Sequence, residues 1–398
     1  MDSNNYVDKI GKYDFIASAG QESVWSADSL HLKSPQQYID SIEDWAFGHF
    51  NFEWQHNQFG LTNRPADSAG FSTACLFQPE HIIYCIGNKI TILSVSDTPE
   101  SIYETIDFCK AYSGKTNINT SIELIAATSK NEYLETVIDL QNHIRRGDCY
   151  EINYCIEFST HELKIDALSI YQKLSKLSPA PMSCLYRNGS AWLICSSPER
   201  FIAKRETTIF SQPIKGTIKR NISDIQDDEL LKTTLLESVK NKIENVMIVD
   251  LVRNDFSKIC KEGSVEVMEK FGIYSFAQVH QMISTIKGTV SRDIAFTHIM
   301  QSCFPMGSMT GAPKKRVLEL VHQYESSSRG IFSGSVGYIG PDNDFDWNVV
   351  IRSIMYNDQS GYLGYKVGGG ITFQSDPIQE YEECMLKALA LQKVLSSE

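Results

Sequence analysis

The chain has 398 residues, and 42% of them are hydrophobic, which suits a packed protein of one large domain or two and excludes a disordered chain. Its 49 acidic residues outnumber the 37 basic ones, and the net charge of −12 argues against nucleic acid as the main ligand, because a phosphate backbone attracts clustered Lys and Arg. No apolar run approaches the length that spans a membrane, so we expect no membrane partner.

The cysteines also carry information about the class of protein. There are ten, and none forms a Cys-x-x-Cys pair, which argues against a zinc site. Several lie in apolar runs such as residues 192–195, as expected for reduced core side chains in a cytoplasmic protein. The first residues lack the basic region and apolar stretch of a signal peptide, which likewise favours a cytoplasmic location.

Local patterns predict several elements along the chain, each from apolar periodicity and its flanking turn or cap residues. In chain order they are a hairpin over 81–93 that turns at Gly87-Asn88, a helix over 131–146 that ends at Gly147, a strand over 207–210, one long helix over 228–252, a helix over 315–324, and a last helix that starts near Pro377 with Ser375 or Asp376 as its cap.

The chain divides unevenly. Residues 113–120 are polar and rich in turn-forming residues, which predicts a seam between two parts. We expect a shortened N-terminal region, residues 1–125, that packs on the core, and a larger domain over residues 126–398.

The segment 212–217 is the most informative one. Pro213 restricts one backbone angle, Gly216 permits close approach of another group, and a predicted strand precedes them. A lysine held there and partly shielded from water can have a lowered pKa and act as a nucleophile or base. This hypothesis concerns Lys215, for which the alternative is a surface lysine in a turn.

Charged residues on other elements are candidates for binding. Glu244 and Glu383 lie on separate predicted helices, and two carboxylates that leave room for water and substrate oxygens are a usual way to hold magnesium. They could equally be exposed helix glutamates. Arg352 lies in an apolar strand-like run, where it needs a carboxylate partner that either the protein or a ligand supplies.

Two segments rich in small residues could bind an anion. Residues 368–370 are three glycines between a predicted strand and the last helix, and their amides could hold an anion, although a tight turn fits as well. They match neither Gly-x-Gly-x-x-Gly nor a P-loop. Residues 304–314 lead into a helix and could bind an oxyanion through Ser308 and Thr310, or simply start that helix.

Taken together, these segments resemble the chorismate-utilising enzymes, the family that includes the anthranilate-, aminodeoxychorismate-, isochorismate- and salicylate-forming enzymes. The resemblance covers about residues 125–395, and its motifs stand in the family's order. They are residues 147–153, 197–201, 213–217, 244–255, 304–314, 337–338, Arg352, 368–371 and 375–387.

The resemblance implies an α+β fold, with two large, mostly antiparallel β-sheets in a sandwich, helices outside, and the site in the cleft between the sheets. Lys215 stands where the anthranilate- and isochorismate-forming members typically carry Ala. A lysine at this position resembles the members that convert chorismate and ammonia to 4-amino-4-deoxychorismate for para-aminobenzoate and folate. Gln281, where anthranilate-forming members have a histidine, favours the same branch.

By the same resemblance, Mg²⁺ is held by Glu244 and Glu383, Lys215 is the nucleophile, and Glu199 donates or accepts a proton near the leaving hydroxyl. The implied substrate-binding residues are Gln281, Ser308, Tyr338, Arg352, Gly368, Gly369, Gly370 and Lys387. Tyr338 and Arg352 would hold the enolpyruvyl carboxylate, and Ser308 and the glycine amides the ring carboxylate. Asn153 and Asp250 fall in family motifs with structural roles.

The chain departs from the family in two respects. No Leu-Leu-Glu-Ser element of the kind that binds tryptophan stands near its start, since the one at 235–238 lies elsewhere, and no glutaminase module is present. Ammonia must therefore come from solution or, as is the family's habit, from a separate glutamine amidotransferase subunit, which predicts a heterodimer. The alternatives are an anthranilate-forming enzyme and a non-catalytic chorismate-binding regulatory subunit.

Overall fold

The computed structural model describes residues 1–6, 8–29, 34–61, 65–109 and 122–396. Within these ranges the chain forms strands, α-helices and two short 3-10 helices. The strands are β1 (Phe15–Ala19), β2 (Ser23–Ser26), β3 (Ala46–Phe50), β4 (Ala74–Gln78), β5 (His81–Ile86), β6 (Lys89–Ser94), β7 (Ile125–Ala126), β8 (Glu151–Thr160), β9 (Cys184–Asn188), β10 (Ala191–Cys195), β11 (Arg200–Arg205), β12 (Thr208–Gln212), β13 (Ile214–Lys219), β14 (Glu266–Ser275), β15 (Val279–Thr289), β16 (Gly311–Ala312), β17 (Ser335–Ile339), β18 (Phe345–Asn348), β19 (Ser353–Asn357) and β20 (Leu363–Ile371).

The α-helices are α1 (Pro35–Ile42), α2 (Pro99–Cys109), α3 (Lys130–Arg145), α4 (Ala167–Leu177), α5 (Ile225–Glu237), α6 (Val239–Ser257), α7 (Phe296–Cys303), α8 (Lys314–Tyr324) and α9 (Pro377–Leu395). The 3-10 helices are Phe52–Phe59 and Gly307–Met309. No helix in the described ranges is both long enough and apolar enough to cross a membrane.

Two large antiparallel sheets dominate the fold. The ten-stranded sheet has the order β13-β15-β12-β11-β18-β17-β3-β4-β2, with β14 also paired to β15. The seven-stranded sheet has the order β16-β8-β20-β19-β10-β9, with β7 also paired to β8. A small third sheet, β1-β5-β6, completes the described strands. The predicted α+β class with two large antiparallel sheets is confirmed.

The main core lies between the two large sheets. Leu193 of β10 belongs to the same buried cluster as Ile202 of β11 and Trp347 of β18. A second cluster joins the other face of the seven-stranded sheet to α3, α4, α8 and α9, through residues such as Val137 and Leu391. The ten-stranded sheet, the seven-stranded sheet and these four helices therefore form successive layers, because an apolar sheet face is stable when another layer covers it.

Strands from the N-terminal part of the chain take part in the larger sheet. β3 pairs with β17 and β4 pairs with β3, so residues 46–50 and 74–78 extend the sheet that also contains β13. The predicted seam at 113–120 lies outside the described residues, and the division into 1–125 and 126–398 stays a prediction.

Most elements predicted from local patterns are present. β5 and β6 pair as a hairpin across residues 87–88. Helix α3 begins after Ser129, whose side chain forms a capping box with Glu132. Helix α9 begins at Pro377, and the Asp376 carboxylate accepts hydrogen bonds from the first free amides.

Two local predictions were wrong. The helix expected over 228–252 is two helices, α5 and α6, because Ser238 takes an extended conformation and its hydroxyl accepts from the amide of Asn241 to cap α6. The apolar periodicity runs across this break, since both helices pack on the β13 and β15 strands. The glycines 368–370 do not form a turn but lie inside β20, paired with β8.

Candidate active site

A cavity of about 130 Å³ lies where the two large sheets meet helices α6 and α9. Strands β13 and β15 line it from the ten-stranded sheet, and β8 and β20 line it from the seven-stranded sheet. Most of the residues that the sequence predicted for the site line this cavity. They are Glu199, Lys215, Glu244, Gln281, Ser308, Arg352, Gly368, Gly370, Glu383 and Lys387.

Tyr338 is not brought to the cavity. It lies in the middle of β17, is 4% exposed, and packs against the rings of Tyr13, Trp45 and Phe47. The side chain points into this aromatic cluster, so the expectation that Tyr338 holds a substrate carboxylate is wrong for this arrangement. Gly369, between two cavity-lining glycines, faces the other way, toward α9.

Lys215 is buried, and its ammonium donates a hydrogen bond to the carboxylate of Glu151. Burial by itself lowers the pKa of Lys215, but the carboxylates of Glu151 and Glu244 outweigh it and raise that pKa above its usual range. The expected lowering of the lysine pKa is therefore wrong for these surroundings. The raised pKa favours the ammonium form of this side chain.

Two glycines allow close packing around this lysine. Gly216 has a positive φ of 95°, and a Cβ there would meet the Asn241 side chain of α6 at 3.0 Å. A Cβ on Gly370 would lie 2.6 Å from the Nζ of Lys215 and 2.5 Å from Oε1 of Glu151. Glycine at 370 thus lets β20 approach the ion pair closely.

Glu199 lies beside the lysine in the cavity. It is 4% exposed, and burial raises its pKa to about 7, while a hydrogen bond with Ser308 and the charge of Lys215 act in the opposite direction. A carboxyl group with such a pKa is partly protonated near neutral pH and can give or take a proton. Its surroundings therefore suit the proton-transfer role that the resemblance implied.

Arg352 carries positive charge into the same cavity. Its backbone has the left-handed φ of 51°, an uncommon conformation for a residue other than glycine. Burial lowers the pKa of Arg352 to about 10, and the carboxylate of Glu199 is the group that opposes this shift. A guanidinium at that pKa stays charged at neutral pH and can bind a ligand carboxylate.

The carboxylates at the helix side of the cavity differ in their surroundings. Burial raises the pKa of Glu244 to about 7, and its Oε1 is buried without a hydrogen-bond partner among the described residues. The ammonium of Lys387 lies 2.8 Å from Glu383 and lowers the pKa of Glu383 to about 2. Oxygen ligands of this kind suit Mg²⁺. The Oε1 of Glu244 lies 3.9 Å from the Lys240 ammonium but accepts no described hydrogen bond, which fits a cation at this end of the cavity.

Gln281 and its neighbour His280 have different roles. The amide nitrogen of Gln281 donates to the Thr217 hydroxyl, and its Oε1 is buried without a described partner. His280 is fully buried away from the cavity and hydrogen-bonds Asp228 and Ser275. The histidine is thus a structural residue, and the glutamine is the one that faces the cavity.

A model of the chorismate binding enzymes matches residues 5–393 of the chain. The chain belongs to the chorismate binding enzyme family. The match extends over the N-terminal strands as well as over the motif-bearing segments that line the cavity.

Proteins of similar sequence include several that are named aminodeoxychorismate synthase. A relative from Oryza sativa subsp. japonica, named probable aminodeoxychorismate synthase, chloroplastic, is 41% identical over 270 residues, which cover 67% of this chain and 30% of that protein. The aminodeoxychorismate synthase component 1 of Klebsiella aerogenes is 35% identical over 258 residues, which cover 65% of this chain and 56% of that protein. In both cases the match covers less than two thirds of the relative's own length.

Solved structures bear on the fold. The crystal structure of anthranilate synthase component I from Streptococcus pneumoniae TIGR4 matches with a TM-score of 0.82 at 20% identity, covering 97% of this chain and 94% of that chain. At that identity the likeness concerns the fold alone, and it confirms the predicted chorismate-utilising fold.

The sequence analysis missed several charged residues of this chorismate-binding enzyme. Glu151 contacts Lys215. Lys240 lies 3.1 Å from Glu380, and both of these residues line the cavity. The signal for Glu380 was available, because it precedes Glu383 by three residues and so shares its helix face. Glu151 stood in a quoted motif, but nothing in the local pattern shows which residue its side chain meets.

Proposed function

We propose that this chain converts chorismate and ammonia to 4-amino-4-deoxychorismate, on the route to para-aminobenzoate and folate. The observation that carries the proposal is the buried ammonium of Lys215, which shares one cavity with Glu199, Glu244 and Glu383. The names of the rice and Klebsiella relatives support the same reaction.

Lys215 supplies the nucleophile in this proposal. Its amine, once deprotonated, attacks the ring carbon next to the carboxylate-bearing carbon, the two ring double bonds shift, and the 4-hydroxyl group leaves. Ammonia then attacks carbon 4, the double bonds shift back, and the lysine amine leaves. Covalent capture divides one difficult displacement into two easier ones.

Glu199 handles the proton of the leaving group. In its protonated form it gives a proton to the 4-hydroxyl, which departs as water, and it later takes a proton from the newly attached ammonium. The raised pKa of this carboxyl group, about 7, makes both directions accessible near neutral pH.

The remaining cavity residues bind and orient the substrate. Arg352 pairs with the enolpyruvyl carboxylate, while Ser308 and the strand containing Gly368 and Gly370 lie against the ring carboxylate. Glu244 and Glu383 would hold Mg²⁺, which when bound favours movement of electron density toward the ring carboxylate. Lys387 and Gln281 complete the polar lining.

The ammonia comes from a glutamine amidotransferase subunit in this proposal, and the two chains form a heterodimer. The Klebsiella relative's designation as component 1 supports a second component. We place the reaction in the cytoplasm, since the described cysteines are free thiols and are mostly buried.

The decisive experiment identifies the product. The purified chain is incubated with chorismate, Mg²⁺ and ammonium, and the product is analysed by mass spectrometry. We expect 4-amino-4-deoxychorismate without release of pyruvate. Formation of anthranilate and pyruvate would assign the chain to the anthranilate-forming branch, and tight chorismate binding without turnover would assign it a regulatory role.

A further inference from the structure

Glu151 and Lys215 join the two large sheets at the cavity. Glu151 is the first residue of β8 and is 2% exposed, whereas Lys215 lies in β13 of the other sheet. The hydrogen bond between them is direct, and Gly370 of β20 lies close against both groups. A buried carboxylate is thus hydrogen-bonded to the nitrogen that serves as the nucleophile in the proposed reaction.

This pair differs from a buried ion pair on the same strand whose carboxylate has a fuller set of partners. Glu157 contacts Lys366 at 3.1 Å and also accepts a hydrogen bond from Tyr362 at 2.8 Å. Glu151, in contrast, accepts a hydrogen bond from Lys215 through Oε1, and its Oε2 is buried without a hydrogen-bond partner among the described residues. A buried carboxylate that serves only the fold is normally fully hydrogen-bonded.

We propose that Glu151 is the base that accepts the proton of Lys215 and so releases the nucleophilic amine. This inference rests on the proposed function. The proton moves from Nζ to Oε1, and the nitrogen lone pair forms the bond to the ring carbon. When ammonia attacks carbon 4, the bond between the lysine nitrogen and the ring carbon breaks. The departing neutral amine takes the proton back from Glu151, and the pair returns to its starting state.

The surroundings favour a base at this position. The charged groups that act on Lys215 are Glu151 of β8, Glu244 of α6, and Glu383 and Lys387 of α9, and Lys215 acts in turn on Glu199. Only Glu151 among these carboxylates is hydrogen-bonded to the lysine. Transfer to Glu151 converts a charged pair into a neutral pair, which a buried setting tolerates well.

The first test is Glu151→Gln, which keeps shape and removes the base. We expect kcat for the ammonia-dependent reaction to fall about 100-fold at neutral pH, within the range for a positioned base, while KM for chorismate changes less than about threefold. The ratio of the variant's kcat to the wild-type kcat at the same pH should rise with pH, since solvent must then take the lysine proton. A wild-type kcat, or a loss that does not recover with pH, would overturn the proposal.

Glu151→Ala is the second variant, and the same pH-dependent loss is expected of it if Glu151→Gln does not fold. Glu157→Gln, on the same strand, is the matched control for removing a buried carboxylate, and thermal unfolding of all variants separates stability from catalysis. The proposed function fails if the wild type does not make 4-amino-4-deoxychorismate. Only the role of Glu151 fails if the wild type makes it and both Glu151 variants match its kcat and pH profile.

Discussion

Two buried ionic clusters in this protein differ in how well they are satisfied. At one, Arg200 lies 2.8 Å from Asp346 and also contacts Asp8 and Gln212, while Asp346 accepts from Arg205 as well. At the cavity, the carboxylates of Glu151 and Glu244 and the amide of Gln281 each keep one buried oxygen without a hydrogen-bond partner among the described residues. The first cluster is satisfied by the chain's own residues, whereas at the second no described residue donates a hydrogen bond to these oxygens.

This difference distinguishes residues that stabilise the fold from residues that are available to bind a ligand. A buried polar atom without a hydrogen bond destabilises the fold, so a cavity in which several such oxygens meet is a candidate binding site. The cluster around Arg200 lies on the ten-stranded sheet as well, but its charges neutralise one another. Substitutions in the first cluster should therefore lower the stability of the fold, whereas substitutions at the cavity should lower activity or ligand binding.

The largest effect is expected for Lys215→Ala. It removes the proposed nucleophile, so kcat for aminodeoxychorismate formation should fall at least about 1,000-fold, as when a covalent route is lost. Steady-state assays with chorismate and ammonium measure this. Lys219→Ala, an exposed lysine on the same strand, is the control and should retain wild-type activity; equal activity of both variants would contradict a catalytic role for Lys215.

Asp346→Asn should break the complete cluster. It leaves Arg200 and Arg205 with less negative charge in a buried setting, and the free energy of unfolding should fall by about 3 kcal/mol. Urea denaturation measures the change. Activity of the folded fraction should remain, and an unaltered unfolding midpoint would show that the cluster contributes little to the fold.

Glu199→Gln should lower kcat about 100-fold, because it removes the proton donor to the leaving hydroxyl. The wild-type pH profile sharpens this prediction. Since the raised pKa of Glu199 is about 7, the protonated donor predominates below that pH, and kcat/KM should decline as pH rises through it. That decline should be absent in the variant, and its persistence would assign it to another group.

Glu244→Gln should have the smallest effect on the ligand-free protein and a clear one on cation binding. Removing a buried charge that lacks a full set of partners should leave the unfolding temperature unchanged or slightly higher. The stabilisation that added Mg²⁺ gives the wild type should disappear. Thermal unfolding with and without Mg²⁺ tests both points, and an undiminished Mg²⁺ shift would exclude Glu244 as a ligand.

Local chemistry accounts for what was predicted well. The Gly87-Asn88 hairpin, the apolar periodicity of α3 and the Asp376-Pro377 start of α9 depend on residues a few positions apart, so a short stretch specifies them. The break at Ser238 was missed because apolar periodicity continues through it. The position of Tyr338 was missed because its neighbours in space come from residues 13–47.

By itself the sequence determined the family, the α+β class and most of the residues that meet in one cavity, because the motifs carry their chemistry in the residue types and their order. Only the tertiary structure decided the direction in which the pKa of Lys215 shifts, since the carboxylates that raise it are Glu151 of β8 and Glu244 of α6, 64 and 29 residues away along the chain. Electrostatic energies depend on distance in space, and a strand pattern contains no information about which charge from another sheet will face it.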